Sequence, residues 1–402
     1  MRGWVIRLLV VLVCLGLALP AVASADEPVM SKYNMKIWGR VKMDYTFDTA
    51  QFVDYNDFLG VPADSQVTNG QGRSSTDFNP RDSRLGFSAS HAVESWAGKG
   101  VVELDFYGDK QSSGTLIPRM RLAYVDLANK DWGTSVRAGQ DWTPVLQLNP
   151  STIDFGVLSA TGNLWWRRPQ FTVRQDVDLG DTGGLQFLAS AMVGTRVNTN
   201  SETRYPWMLG RVAYSFDLVG GKHMIAVDGG YQHDRLAAGS TPGDGPKVTR
   251  WLAGGEFKFD FNPLLLKGEI WTGQAIGGDF LRYDLDTYTN GNGDLKEWKA
   301  WGGWVDLTYK IIPKLSVTAG IGYDNPSNTG YRAPVSGGTT GNPADRTFLY
   351  AYNAYANTWY TLGPDVKVGF EVMNLTAKRQ YADNSTYRDK GQRYTASIFY
   401  NF

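Results

Sequence analysis

Polar and apolar residues alternate at both ends of the chain. Tyr33, Met35, Ile37, Val41, Met43, Tyr45 and Phe47 interleave with Asn34, Lys36, Trp38, Arg40, Lys42, Asp44 and Thr46. A period of two sends these sets to opposite faces of a strand, so the faces meet different surroundings. The last segment behaves alike, with Tyr394, Ala396, Ile398, Tyr400 and Phe402 set against Arg393, Thr395, Ser397 and Asn401. Comparable segments fall near 79–91, 99–109, 118–127, 132–141, 165–176, 184–195 and 205–216. Others lie near 222–233, 248–260, 264–275, 298–310, 314–324, 347–360 and 365–377, which predicts sixteen strands. Past the first 25 residues no apolar run reaches the ~18 residues of a membrane helix, and no 3.6-residue periodicity persists.

The connections carry more information than the strands. Long ones include 48–78, 110–117, 142–164, 276–297, 325–346 and 378–391, and short ones 128–131, 217–221, 261–263, 311–313 and 361–364. Long and short alternate. That rhythm, with an even strand number, predicts an all-β transmembrane antiparallel barrel with short periplasmic turns and long extracellular loops. A soluble sandwich would scatter long loops to both ends. Closure also satisfies every backbone N–H and C=O, which hydrocarbon demands.

Composition narrows the classes that remain. The 402 residues hold 40 basic and 40 acidic side chains, so the basic footprint of a nucleic-acid binder is missing and no such partner is expected. The single Cys, Cys14, sits in the first 25 residues, which excludes a disulfide framework or Cys-based zinc site. Those residues read as a cleaved leader. Arg2 and Arg7 precede or open an apolar stretch, Pro20 breaks it, and Ala23-Ser24-Ala25 fits small-x-small cleavage before Asp26. The expected organisation is a leader over 1–25 and a barrel over 26–402, exported to a bacterial outer membrane among lipid and lipopolysaccharide. The terminal Tyr-Asn-Phe resembles the address read by barrel-inserting machinery. Aromatics reach 13% of residues, as interfacial girdles require. Trp132, Trp142, Trp207 and Trp251 are read as girdle or strand-packing residues rather than ligand-stacking ones.

Parity assigns the lumen. With Leu85, Phe87 and Ala89 outward, Asp82, Arg84, Gly86 and Ser88 face in; with Val102, Leu104 and Phe106 outward, Glu103, Asp105 and Tyr107 face in. Met120, Leu122 and Tyr124 outward leave Arg119 and Arg121 inward. Val136 and Ala138 leave Arg137; Phe171 and Val173 leave Arg168, Gln170 and Arg174. The wall formed by Arg84, Arg119, Arg121, Arg137, Arg168 and Arg174, with Lys36, Arg40 and Lys42 beside it, is the candidate solute path. A guanidinium holds carboxylate or phosphate bidentately and stays charged, so such a wall favours small anions. The other reading is that these cations pair with Glu103, Asp105 and loop acids and only stiffen the barrel. The segment 142–164 is long enough to fold inward and narrow the pore, with Trp142, Gln147, Asn149 and Asp154 along one side of a constriction. An outward cap is the alternative.

Several segments together resemble the DcaP-like porins. They are Ser83-Arg84-Leu85-Gly86-Phe87, Val-Val-Glu-Leu-Asp-Phe-Tyr-Gly over 101–108, Arg-Leu-Ala-Tyr-Val-Asp-Leu over 121–127, Arg-Ala-Gly-Gln-Asp-Trp-Thr-Pro over 137–144, and Arg-Pro-Gln-Phe-Thr-Val-Arg over 168–174. The resemblance covers roughly 80–176 and implies a homotrimer of sixteen-stranded barrels passing small anions, dicarboxylates among them. Family members with a periplasmic coiled-coil extension differ from this chain, where only 26–32 precede the first strand. The phosphate-selective porins are the nearest competitor.

Other chemistry finds little footing. His91, His223 and His233 lack zincin spacing, so no metal and no cofactor is expected. A barrel phospholipase or protease would need a Ser or Asp poised on a His, and only His233-Asp234-Arg235 suggests it. Asn290-Gly-Asn-Gly-Asp294 has calcium-loop spacing, but Leu295 stands where Gly is required. A sheath for a periplasmic electron carrier is a further class, with no residue arguing for it.

Overall fold

The computed structural model describes residues 33–55, 58–64, 74–108, 116–194, 202–203, 205–219, 221–235, 245–280, 286–289, 294–326, 346–381 and 385–402. Residues 1–25, read above as a leader, and the tract 290–293 lie outside them.

Alternation becomes strand at sixteen places. β1 is Asn34–Asp48, and β2 runs in two pieces, Ser75–Asn79 and Arg84–Val93. β3 (Trp96–Asp105), β4 (Arg119–Asn129), β5 (Thr134–Trp142), β6 (Arg167–Asp178) and β7 (Gly184–Met192) follow. Then come β8 (Trp207–Leu218), β9 (Gly221–Arg235), β10 (Lys247–Asp260), β11 (Leu264–Gln274) and β12 (Lys299–Ile312). β13 (Leu315–Pro326), β14 (Arg346–Gly363), β15 (Val366–Tyr381) and β16 (Thr386–Asn401) complete the set. Each pairs antiparallel with its chain neighbours. β1 closes the barrel on β16, from Arg40↔Asn401 to Asp48↔Arg393. Gly39 and Phe402 exchange backbone hydrogen bonds of 2.9 and 3.1 Å, which seats the terminal residue in the seam.

The barrel is inside-out relative to a water-soluble protein. Ile37, Val125, Val227 and Ile270 are 63–68% exposed on the outer face, while Lys42, Asp44, Thr46 and Asp48 of β1 are buried within. An apolar surface of that extent matches hydrocarbon, and the edge-free sheet leaves no backbone group to be orphaned there.

Two departures from regular alternation shape the inner wall. Pro80 interrupts β2, because proline offers no ladder N–H. The resulting turn (Ser83 N to Pro80 O, 2.9 Å) lets Asp82 swing into the lumen, where it is 2% exposed. The second is a bulge in β4. Glu103 pairs with Leu122 but Leu104 pairs with Met120, leaving Arg121 as the extra residue. Parity resets there. Leu122, Tyr124 and Asp126 therefore share a cavity with Arg137, whereas Val125 and Leu127 are exposed outside. Sequence parity placed Leu122 and Tyr124 outward; the bulge reverses both. Trp207 likewise packs inside, fully buried and donating from Nε1 to Asp279 (2.8 Å), whereas Trp132 is 65% exposed at a periplasmic turn beside Trp96, 42% exposed. The last connection, expected over 378–391, contracts to 382–385 because β15 and β16 both extend beyond the neighbouring strand ends.

Connections pack into the lumen, and the one after β1 sets Val61 in a buried cluster with Ala160, Ala351 and Ala377. Segment 143–166, between β5 and β6, contributes Val145, Leu146 and Leu164 to a buried cluster with Trp207, Leu252 and Trp271 of the wall. The connection after β11 adds Ile276 and Phe280 to the same cluster. Its later part forms a small hairpin, Thr287–Thr289 with Leu295–Glu297.

Candidate functional site

The site is built from a basic wall, an acidic wall, and the segment 143–166 strung between them. Segment 143–166 leaves β5 at Trp142 and is gripped by its main chain. Leu146 N donates to Asp228 Oδ1 (3.2 Å, β9), Leu148 N to Glu269 Oε1 (2.9 Å, β11) and Ser151 N to Asp306 Oδ2 (2.6 Å, β12). Ile153 N and Asp154 N then share the two oxygens of Glu371 (2.7 and 2.8 Å, β15). A hydrogen bond of this kind contributes about 0.5–1.5 kcal/mol. The acids are themselves held: Trp304 Nε1 donates to Glu269, Tyr355 Oη to Asp306 and Asn357 Nδ2 to Glu371, at 2.8–2.9 Å.

Carbonyls of the segment are gripped from the wall as well. Lys42 Nζ reaches Ile153 O (2.8 Å), Lys267 Nζ binds Asn149 O, and Trp271 Nε1 donates to Gly162 O (2.7 Å). Gly162 lies at φ +120°, and a Cβ there would stand 2.2 Å from Gly303 O. Opposite, a Cβ on Gly322 would stand 2.2 Å from Thr161 O. Chain and wall meet there backbone to backbone, at a separation that glycine alone permits.

The basic wall comes from β1 to β4. Asp82 gathers Arg40 (2.5 Å), Lys42 (3.1 Å) and Arg84 (3.0 Å). Asp105, fully buried, takes Arg119 through both oxygens (3.0 and 2.7 Å) and Arg121 (2.9 Å), which also reaches Glu103 (2.5 Å). Phe155 of the segment bears on this wall. It stacks on Tyr107 at 4.5 Å and 12°, with the Arg84 and Arg121 guanidinium carbons 5.5 and 5.4 Å from its ring centre.

A cavity of about 530 Å³ lies beneath the segment, lined by Tyr124, Asp126, Arg137, Asp141, Gln147 and Arg174 among others. A second, of about 240 Å³, is lined by Arg40, Lys42, Asp82, Arg84, Asp154 and Phe155 among others. Trp142, Asn149 and Trp165 border both and form the neck between them.

The six arginines singled out from the sequence separate into three places. Arg84, Arg119 and Arg121 stand together with Arg40, Lys42, Glu103 and Asp105. Arg137 and Arg174 border the larger cavity; Arg137 pairs with Asp126 and with Asp141 (2.5 Å), and Arg174 with Asp176 (3.1 Å). Arg168 lies elsewhere and donates to Gly278 O (3.0 Å) in the connection after β11. Lys36 is exposed near the periplasmic end of β1 and does not border either cavity. In the segment, Gln147 donates to Pro144 O (3.0 Å), while Asp154 is buried against Arg393 (2.9 Å). The wall acids Asp228, Glu269, Asp306 and Glu371 escaped the sequence reading, although the same parity in β9 to β15 marks them.

The extracellular mouth holds a separate ion cluster. Arg250 is buried among Asp279 (2.6 Å), Asp234 (3.4 Å) and Asp286 (3.5 Å). Asp234, from the suggestive His233-Asp234-Arg235 triplet, is thus engaged by a cation, and the His233 ring lies tilted against Tyr205, their centres 5.0 Å apart. Burial pushes the Asp286 carboxyl up to about 6; Asp279 adds to the rise, while Arg250 and the N–H groups of Gly277 and Gly278 oppose it.

A sixteen-stranded barrel with an apolar belt and a connection folded through its lumen is an outer-membrane channel. The chain belongs to the Gram-negative porin family, whose profile it matches over residues 9–380. Its fold resembles that of the outer-membrane channel DcaP of Acinetobacter baumannii, with 20% identity, 94% of this chain and 100% of that one covered, and a TM-score of 0.70. An anion-selective porin from Comamonas acidovorans is similar at 12% identity, covering 92% and 100%, with a TM-score of 0.60. A trimer form of OmpT from Vibrio cholerae follows at 14% identity, 92% and 99% coverage, and a TM-score of 0.55. No curated protein matches the sequence.

Proposed function

We propose that this porin is a diffusion channel for small hydrophilic solutes that prefers small anions, dicarboxylates among them, and that segment 143–166 is its constriction. One observation carries the reading. The carboxylates of the far wall are occupied by main-chain N–H groups of the segment, whereas the near wall keeps several guanidinium groups beside a cavity. A permeating solute therefore meets a field dominated by arginine. The likeness to an anion-selective porin supports this. The working unit is a homotrimer, and the protein is exported behind a leader cleaved after Ala25, its apolar belt in contact with lipid and lipopolysaccharide. Reversal potentials across a salt gradient in a planar bilayer test the selectivity. Anion preference at low salt is the expected result, and cation preference would overturn the reading.

A further inference from the structure

The extracellular ends of β15 and β16 carry three cations on their outer face. Lys378 of β15 pairs directly with Arg388 of β16, and Lys390 pairs with Thr376 on the same face. Parity fixes that face, because the intervening Ala377, Arg379 and Asp389 are buried toward the lumen, the last two as an ion pair. Arg388 and Lys390 are exposed, and Lys378 is half-buried. On its other side Lys378 pairs with Tyr350 of β14, and the Arg388 guanidinium carbon comes within 5.9 Å of that ring centre. The acids of β1, β15 and β16 all face inward: Asp44, Asp48, Glu371 and Asp389 are buried on the lumen side. None of them neutralises the row.

Directly opposed side chains of a sheet stand about 4.5–5.5 Å apart at Cβ and diagonal ones about 7–8 Å, and like charges so placed repel. A multivalent anion relieves that repulsion. The height of the row on the barrel indicates which anion. Outward residues of β15 and β16 are apolar as far as Val372 and Tyr394, which pair with each other. Beyond them the face turns polar: Tyr394 Oη donates to Gln392 Oε1 (2.8 Å), and Gln392 Nε2 donates to Asn374 Oδ1 (2.7 Å). On β13 and β14 the outward Tyr323, Tyr350 and Tyr352 stack in a row, their centres 6.1 and 6.4 Å apart, as an interfacial girdle does. Lys390 stands four residues past Tyr394. That is about 13 Å along the strand, or ~10 Å along the membrane normal at a barrel's usual tilt. The headgroup layer spans about 5–8 Å beyond the hydrocarbon, within reach of long basic side chains. The row therefore stands at the level of the outer-leaflet phosphates.

We propose that Lys378, Arg388 and Lys390 form a docking site for the phosphate groups of an outer-leaflet lipid, the multiply phosphorylated glycolipid of a Gram-negative membrane. The proposal rests on the lipid-contact reading above and deepens it, adding a headgroup site to the contact made by the apolar belt. Arginine brings a planar fork to a phosphate, and the two lysines bring mobile point charges. The Tyr350 face holds the Arg388 guanidinium over Lys378, so that both address one anion. A phosphate monoester carries a charge of about −1.5 to −2, so a lipid with two of them matches three cations better than a zwitterionic phospholipid does. Below the row Phe370 and Ile398, both exposed, offer apolar wall to its acyl chains.

Native mass spectrometry of the purified protein in detergent tests it, with diphosphoryl lipid A, the same lipid stripped of phosphate, and inorganic phosphate as probes. The wild type is expected to bind diphosphoryl lipid A and to bind the stripped lipid at least about tenfold more weakly. The triple variant Lys378→Gln, Arg388→Gln, Lys390→Gln should weaken binding roughly hundredfold, since each basic side chain near an anionic surface contributes about fivefold. The substitutions relieve repulsion on an outer surface, and heat resistance with unchanged single-channel conductance reports that the barrel is intact. Lys314→Gln removes a cation from the exposed periplasmic turn between β12 and β13 and should leave binding unchanged. Equal binding by wild type and triple variant would overturn the site while leaving the lipid contact standing. An equal loss in Lys314→Gln would overturn its placement on β15 and β16. Displacement of the lipid by equimolar inorganic phosphate would overturn the lipid as its ligand. Binding of neither lipid by the wild type would sink the lipid-contact reading together with the site.

Discussion

Ile153 and Glu371 lie 218 residues apart in the chain, yet the N–H of the first donates to the carboxylate of the second across 2.7 Å. The other oxygen of Glu371 accepts from Asp154 N, so one side chain of β15 fixes two consecutive peptide groups of segment 143–166. Position is set here by main chain, and the wall supplies the acceptors.

Replacing Glu371 by Ala should loosen the segment. Two buried N–H groups lose their acceptor, at a cost of about 1–3 kcal/mol each. Single-channel conductance is expected to rise and open-channel noise to increase, in a barrel that still assembles. An unchanged, quiet conductance would show that Asp228, Glu269 and Asp306 hold the segment without it.

Phe155 narrows the basic side, stacked on Tyr107. Phe155→Ala is expected to raise conductance while keeping the sign of selectivity, because no charge changes. A conductance equal to wild type would mean that ions pass elsewhere.

Selectivity should follow the basic wall. Near a partly solvated surface two unit charges 4 Å apart interact by about 4 kcal/mol at an effective dielectric of ~20, and salt screens the more distant ones over ~8–10 Å. The double variant Arg119→Ser, Arg121→Ser removes two cations and leaves Glu103 and Asp105 unanswered. The anion preference proposed above should then fall markedly at low salt. Reversal potentials matching wild type in an assembled variant would assign these arginines a purely structural role.

The mouth should respond to pH. Asp286 has its carboxyl raised from 3.8 to about 6, so between those values the folded state binds more protons than the opened one. Stability then falls as pH rises through that window, by at most on the order of 3 kcal/mol for the local contacts. Gly277 N and Gly278 N donate to Asp286 at 2.9 and 3.3 Å and report on it. Their amide-exchange protection, corrected for the intrinsic rate, is expected to be greater at pH 4 than at pH 7, and Asp286→Asn should flatten the profile.

The sixteen strands were legible because each carries its own record: Ile37 and Lys42 fall on opposite faces by parity alone. Leu122 and Tyr124 were misplaced for the same reason, since one extra residue at Arg121 inverts every later assignment in β4 and leaves no local trace. Arg84, Arg119 and Arg121 were readable as neighbours on adjacent strands. The grip of Glu371 on Ile153 was not, because it depends on where a long connection returns in space.

The glycine contact between Gly162 and Gly303, and the row of acids holding peptide N–H groups, share one consequence. Neither records which side chains the segment carries at its remaining positions. A channel assembled in this way separates the scaffold of its filter from the lettering on it. Point substitutions at Gln147 or Asn149 rewrite the lining of the cavity, and the frame that presents them is expected to stay in place.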